Sequence, residues 1–173
     1  MRFSRDPLAN PEPLIRRVYA YVAYRIGDGP DAEDITSETF ERALRYKESY
    51  DASKGEPAAW LIGIARRCLA APPPPHPVPD SGDETPAPQD LEEESARRID
   101  LQAALAKLSQ RDRELLALRY GADLTAAQIG ELLELATNAV EVALHRARER
   151  LAAVLAGLDD GESPEPGMEA VRI

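Results

Sequence analysis

Residues 124–151 read LTAAQIGELLELATNAVEVALHRARERL and predict two short helices joined by a tight turn. Thr125 and Gln128 have the spacing of a capping box, in which each side chain bonds the backbone of the other residue. Apolar residues then recur at helical spacing in two stripes. The stripes are Ile129, Leu132 and Leu133, followed by Val140, Leu144, Ala147 and Leu151. This pattern is typical of a helix-turn-helix, whose second helix can enter a DNA major groove.

The charge of the chain is distributed unevenly. A net charge of −10 over 173 residues is unfavourable for binding DNA, because affinity for DNA comes largely from neutralising phosphates. Residues 1–71 carry 11 basic and 11 acidic side chains, and residues 98–156 carry eight of each. The excess acid lies in residues 72–97, with one basic and seven acidic side chains, and in residues 157–173, with one and five. Since the parts expected to fold are neutral, we expect the isolated chain to bind DNA weakly.

Several classes of protein are disfavoured by what the sequence lacks. It has no apolar run of about 18 residues that predicts a membrane span, and its N-terminus has no secretory h-region. The single cysteine, Cys68, excludes an internal disulfide and a multi-cysteine zinc site. No P-loop, HExxH, GxSxG or dinucleotide motif occurs. We therefore expect a cytoplasmic protein that is not an enzyme and has no cofactor or metal, with Cys68 acting as a small buried hydrophobe.

The pattern predicts an all-α chain with two small helical domains, at 8–71 and 98–156. The first domain should contain three helices. One carries apolar residues every four positions, one follows Pro30 with an acidic first turn, and one begins near Pro57 and must end at Pro72. The buried face predicted for the second helix is Ala32, Ile35, Thr39 and Ala43, with Phe40 and Leu44 alongside.

The remaining segments are predicted to be a spacer and a tail. Residues 72–97 are rich in proline and acid and predict a flexible linker. Residues 157–173 predict a disordered acidic tail. Within the second domain, Ser109 and Asp112 have the spacing of another helix cap.

Three stretches together are similar to one bacterial family. GDGPDAEDITSETFERAL (27–44), GEPAAWLIGIARR (55–67) and LHRARERL (144–151) resemble RNA polymerase sigma factors of the extracytoplasmic-function (ECF) group of the sigma-70 family. Such proteins contain only sigma regions 2 and 4, and the resemblance covers roughly residues 11–71 and 98–155. It implies that the chain binds core RNA polymerase and directs promoter-specific transcription initiation. The implied partners are the clamp helices and flap of the polymerase, promoter DNA and an anti-sigma factor.

The resemblance also implies roles for particular residues in the first domain. The acidic helix at 31–44 matches region 2.2, which docks on the clamp helices. Its polar face is Asp34, Ser37, Glu38, Glu41 and Arg42. An ordinary solvated face is the alternative interpretation. The helix at 55–71 matches regions 2.3 and 2.4, so Arg66 and Arg67 are candidates for contacts at the −10 element, while Trp60 is expected in the core.

In the second domain, the helix at 137–151 matches region 4.2, which reads the −35 element. The candidate contacts with the −35 element include two residues at the start of the preceding helix and five on this helix. They are Thr125, Gln128, Thr137, Asn138, His145, Arg146 and Arg148. Arg148 and Arg150 can alternatively form ion pairs with Glu141 or Glu149 on the same helix.

This sequence departs from the family pattern mainly on the DNA side. Glu141 and Ala143 replace a common lysine and a common arginine. Glu134 replaces the turn glycine, and Ala136 replaces a capping serine, which makes Thr137 the candidate cap one residue later. No cation lies between Arg67 and Arg97.

Two hypotheses follow from these departures. In the first, the chain is a working sigma factor that binds DNA only within the holoenzyme. In the second, it is a sigma-like decoy that binds polymerase or an anti-sigma factor without reading DNA. A two-domain repressor is disfavoured because it leaves the acidic helix unexplained.

Overall fold

The computed structural model describes residues 6–71 and 89–159, with side chains over 6–71 and 96–157. These two stretches contain seven α-helices and no strand, so the predicted all-α fold is confirmed. The helices are α1 (Pro11–Ile26), α2 (Pro30–Arg45), α3 (Pro57–Ala70), α4 (Gln89–Lys107), α5 (Gln110–Leu116), α6 (Ala126–Leu133) and α7 (Thr137–Asp159). A 3₁₀ turn at Lys47–Ser49 follows α2, and a π-helical turn at Ala117–Gly121 follows α5.

The three helices predicted for the first domain are present, and the third begins at Pro57 and ends at Ala70, before Pro72, as the sequence predicts. Each has a proline in its first turn, where the missing N–H removes no helical hydrogen bond. Asp31 and Glu33 lie in the first turn of α2, and Arg42 and Arg45 in its last turn. These charges oppose the helix dipole at each end and favour the short helix.

One part of the predicted buried face of α2 is wrong. Leu44 is 64% exposed, whereas Thr36, which was not predicted, is buried together with the predicted Thr39. The two threonine hydroxyls each donate to a carbonyl oxygen one turn earlier, both at 2.7 Å, so burying them leaves no polar group unpaired. At 3.6 residues per turn, Leu44 lies roughly a third of a turn from the buried row.

The fourth helix begins inside the segment predicted as a linker. α4 starts at Gln89 rather than near residue 98. The run of glutamates, alanine and arginines at 92–98 has strong intrinsic helix propensity, which the acidic composition obscured. The remainder of the predicted linker and most of the predicted tail lie outside the described residues, and α7 runs to Asp159.

The helix-turn-helix has the predicted capping box. The Thr125 hydroxyl accepts from the Gln128 N–H at 3.2 Å, and the Gln128 carboxamide accepts from the Thr125 N–H at 2.8 Å. Ser109 likewise caps α5 by accepting from the Asp112 N–H at 3.1 Å. The cap predicted at Thr137 is wrong, because the Ala136 carbonyl accepts the first helical bond, from Val140, at 3.1 Å and makes Thr137 the first residue of α7.

The helices before and after the linker share a hydrophobic core. Val18, Tyr21 and Val22 of α1 belong to the same buried cluster as Leu118 of the π-helical turn and Ile129 of α6. A second cluster joins α4, α5 and α7 through Leu105, Leu108, Leu116 and Ala147. Cys68 is 2% exposed, and burial raises the pKa of its thiol, as expected for a small buried hydrophobe rather than a nucleophile.

The turn after α6 allows a test of backbone strain. Glu134 has φ 57° and ψ 43°, the left-handed conformation that costs a non-glycine residue roughly 1–2 kcal/mol. We predict that Glu134→Gly raises the free energy of unfolding by about 1 kcal/mol. Glu131→Gly makes the same chemical change inside α6 and should lower it by about 1 kcal/mol. Urea denaturation of both variants measures the difference, and an equal loss in both would contradict the strain at Glu134.

Candidate functional site

The five residues predicted to bind polymerase lie together on the outward side of α2. Asp34, Ser37 and Glu41 are exposed. Glu38 and Arg42 are half-buried and form an ion pair one turn apart. Within the part of the chain that the structure describes, the carboxylates of Asp34 and Glu41 form no ion pair, so the face presents both of them and the Ser37 hydroxyl to solvent beside the Glu38–Arg42 pair.

The two arginines predicted to meet the −10 element have different environments. Arg67 is exposed at the end of α3. Arg66 is half-buried, and its Nε donates to Glu114 Oε1 at 2.9 Å. Its Nη1 also donates to the carbonyl oxygen of Leu132 at 3.3 Å. Arg66 is thus bound to the helices that follow the linker.

Glu114 is the centre of a cluster of charges. Besides Arg66, its carboxylate is paired with Arg25 of α1 and accepts from the Tyr21 hydroxyl at 3.0 Å. The side chains of Glu114 and Arg25 are 13% and 15% exposed. Burial raises the pKa of Tyr21, while the neighbouring Arg25 acts in the opposite direction. The phenol therefore stays a neutral donor near neutral pH.

Arginines from both halves of the chain, residues 6–71 and residues 89–159, line one cleft. The cleft has a volume of about 890 Å³. Its charged lining is Arg25, Arg66, Arg67 and Arg111 around a single acid, Glu114. This excess of positive charge makes the cleft suited to an anion.

A smaller cavity lies at the loop before α3. It holds about 230 Å³ and is lined by Tyr50, Lys54 and Trp60 of the first half and by Gln128 and Leu132 of α6. Trp60 is half-buried and contacts Tyr50, with the ring centroids 5.4 Å apart. The predicted core residue therefore packs only partly on the core, and α6 lies against the loop.

The predicted −35 residues divide between exposed positions and the helix cap. Exposed side chains on α7 are Thr137, Asn138, His145, Arg146 and Arg148. They lie away from the buried stripe of Val140, Leu144 and Ala147. His145 is 3.4 Å from Glu149, one turn further on. Thr125 and Gln128 bond each other in the capping box, so any contact with DNA would compete with that role.

Two residues of α7 differ from the sequence interpretation. Arg150 does not pair with Glu141 or Glu149, because its Nη1 is 2.8 Å from both carboxylate oxygens of Asp112. Asp112 is buried, so this pair fastens α7 to α5. Val142 is 51% exposed among the polar positions and was not predicted. The sequence could have indicated this exposure, because Val142 is an apolar residue that lies off the apolar stripe of α7.

Sequence reasoning also missed Arg25, Glu114 and Arg111. Arg25 is 89 positions from Glu114, and no periodic pattern relates residues at that distance. Among the described residues, no group of His, Cys, Asp and Glu is arranged to hold a metal ion. In the same part of the chain, no helix combines the length and apolar character needed to cross a membrane.

Comparison with known families and structures agrees with this layout. The family model for sigma-70 region 2 matches residues 12–70, and that for sigma-70 region 4 matches residues 98–151. In solved structures, a similar fold occurs in the sigma factor RpoE from Bartonella quintana, in complex with the anti-sigma factor NepR. That match has a TM-score of 0.61 at 20% identity and covers 84% of this chain and 93% of RpoE. CnrH, in complex with the cytosolic domain of CnrY, has a TM-score of 0.60 at 22% identity, covering 90% and 86%.

Curated relatives include three ECF RNA polymerase sigma factors. BldN of Streptomyces coelicolor is 30% identical over 80% of this chain and 56% of its own length. SigE of Mycolicibacterium smegmatis is 33% identical over 81% and 58%. The chain thus spans little more than half of these two. ShbA of Streptomyces griseus is 30% identical over 87% of this chain and 86% of its own length. The chain therefore belongs to the ECF group of RNA polymerase sigma factors, within the sigma-70 family.

Proposed function

We propose that this chain binds core RNA polymerase and directs promoter-specific transcription initiation. The observation that carries the proposal is the joint presence, in family order, of the outward acidic face of α2 and the exposed polar positions of α7. In this role the chain performs no catalysis itself, because polymerase supplies the chemistry. It acts in the cytoplasm, where bacterial transcription takes place.

The roles that we assign to the two parts of the chain follow the two family matches. We assign residues 8–71 to polymerase binding and the −10 element, and residues 98–156 to the −35 element. The clamp helices are the partner that we assign to the acidic face of α2, and this face suits a surface of opposite charge, since complementary charge speeds association and fixes register. The structurally similar RpoE is in complex with the anti-sigma factor NepR, which supports an anti-sigma partner for this chain as well.

Side chains exposed along α7 can form specific contacts with the bases of promoter DNA. Arginine suits guanine, asparagine suits adenine, and a carboxylate accepts from the cytosine amino group. Arg146, Asn138 and Glu141 are exposed and offer these three chemistries. Val142 can contact a thymine methyl group. Glu141 then reads a base rather than a phosphate, and polymerase supplies the affinity that this neutral module lacks.

The sigma-like decoy remains the alternative function. It is favoured by the pairing of Arg66 with Glu114 and by a glutamate at position 141. A decoy binds polymerase or an anti-sigma factor but initiates at no promoter, so run-off transcription from a genomic promoter library separates the two functions.

The polymerase-binding face is tested by charge reversal. The double variant Asp34→Lys, Glu41→Lys should reduce run-off transcription at least tenfold, because like charges facing each other across an interface cost several kcal/mol. Glu12→Lys reverses an acid on α1 that is also exposed and breaks only a surface pair with Arg16, so it is the control for charge reversal elsewhere on the surface. Full activity of the double variant would show that polymerase binds elsewhere.

Arg146 and Arg150 lie one turn apart on α7 and should differ in effect. Arg146→Ala should cost about 1–3 kcal/mol of promoter discrimination, as for the loss of one base-reading contact, and change the free energy of unfolding by less than about 0.5 kcal/mol. Arg150→Ala leaves Asp112 buried without its guanidinium and should lower the free energy of unfolding by about 1–3 kcal/mol.

The two quantities are measured separately, by holoenzyme footprinting on promoter variants and by urea denaturation. If Arg150→Ala changed discrimination while leaving stability intact, the roles assigned to the two arginines would be reversed.

A further inference from the structure

The arginine-lined cleft contains two arginines that the fold itself uses and two that it does not. Arg25 and Arg66 both bind the Glu114 carboxylate, and their side chains are 15% and 35% exposed. Arg67, near the end of α3, and Arg111, the second residue of α5, are exposed. Among the residues whose side chains the structure describes, neither Arg67 nor Arg111 has a partner in a hydrogen bond or an ion pair. Their guanidinium groups are therefore available to a ligand.

The cleft has an excess of positive charge. Four guanidinium groups and one carboxylate line it, which leaves a formal excess of three positive charges. A cleft lined by one sign of charge concentrates ligands of the opposite sign. Because Glu114 already binds Arg25 and Arg66, we expect an anionic ligand to bind mainly to Arg67 and Arg111.

Beside the arginines, the cleft has an apolar wall. Gly63 and Leu69 of α3 and Leu132 of α6 form this wall. A Cβ atom added to Gly63 would lie 3.8 Å from the Leu132 Cδ1 atom, so α3 and α6 lie close together here with no side chain from Gly63 between them. Leu69 and Leu132 are half-buried and keep part of their side chains accessible. An apolar wall with a few charged groups beside it is typical of a small-molecule site.

A nucleotide with two or three phosphates matches both parts of the lining. Arginine binds phosphate through paired N–H donors and also stacks on planar rings. A nucleoside diphosphate or triphosphate carries roughly three to four negative charges at neutral pH, because the second pKa of a terminal phosphate is about 6. This charge balances the excess in the cleft, and the base supplies a planar group for the apolar wall. The cleft volume of about 890 Å³ lies within the usual range for small-molecule sites.

We propose that the cleft binds a nucleoside diphosphate or triphosphate, with its phosphates on Arg67 and Arg111 and its base against Leu132. The ligand would thus contact α3, α5 and α6. This site goes beyond the proposed function, which requires no small molecule. Arg67 is also the exposed candidate for the −10 element, so a bound nucleotide withholds that contact from promoter DNA.

Isothermal titration calorimetry of the free full chain in Mg²⁺-free buffer tests the ligand class. The probes are the four ribonucleoside triphosphates, their monophosphates and inorganic tripolyphosphate. At least one triphosphate should bind roughly tenfold more tightly than its monophosphate, because the monophosphate lacks charge-assisted bonds to one of the two arginines. It should also bind more tightly than tripolyphosphate, which has the charge but no base. Tripolyphosphate binding as tightly as every nucleotide would overturn the assignment of the base to the apolar wall.

A pair of variants tests the location of the site. Arg111→Gln removes a phosphate ligand that is assigned to neither DNA nor polymerase, and should weaken nucleotide binding about tenfold or more. Arg45→Gln removes the same charge from an exposed position on α2 outside the cleft, so it should change the affinity by less than about twofold, since solvent and salt screen a distant charge. Circular dichroism checks that both variants are folded. In the natural chain, nucleotide should also shift the amide NMR signals of Gly63 and Leu132.

The remaining outcomes decide against the site. Equal affinities of Arg111→Gln and Arg45→Gln, or no binding of any triphosphate to the natural chain, would show that the cleft is not a nucleotide site. If a short DNA duplex binds where no nucleotide does, and Arg111→Gln weakens it, the cleft belongs to DNA instead. None of these measurements involves polymerase or a promoter. Failure of the nucleotide site therefore leaves the initiation function intact, and failure of run-off transcription leaves the nucleotide site intact.

Discussion

The close approach of the π-helical turn to α1 is the constraint on which the rest of the structure depends. Because Gly121 has no side chain, the turn reaches the backbone of Tyr21, and the apolar residues on both sides merge into one buried cluster. The same approach places Glu114 between Arg25 and Arg66. Without this contact, each half would have to cover its apolar surface separately, and Arg66 would be free to face solvent.

Most of the local structure was predictable because its causes lie within a few residues. Proline in the first turn of α1, α2 and α3, the Ser109 cap and the Thr125 capping box act through neighbouring backbone groups. The errors arose where composition or tertiary packing outweighs local pattern. Acidic residues suggested a linker where α4 begins, and Leu44 is exposed because the buried row of α2 is narrow and contains threonines that bond their own helix.

The candidate site was predictable only in part, for a related reason. Exposed positions on α2 and α7 follow from helical periodicity, and family resemblance supplies what they would bind. The partners of Arg66 and Arg150 do not follow, since Glu114 and Asp112 are distant in sequence and reach them only through the packing of whole helices. Arg150 was a candidate for an ion pair with Glu141 or Glu149 on its own helix, yet its guanidinium binds Asp112 and holds two helices together.

The most direct test of this account compares the separation of the two halves in free chain and in holoenzyme. Spin labels at Glu33→Cys on α2 and Ala152→Cys on α7 occupy exposed positions, and Cys68 can remain because its thiol is buried. Double electron–electron resonance spectroscopy should give one short distance between the two spin labels in the free chain and a longer one when core polymerase is bound. The same distance distribution in both states would contradict the assignment of the two halves to separate elements of the promoter.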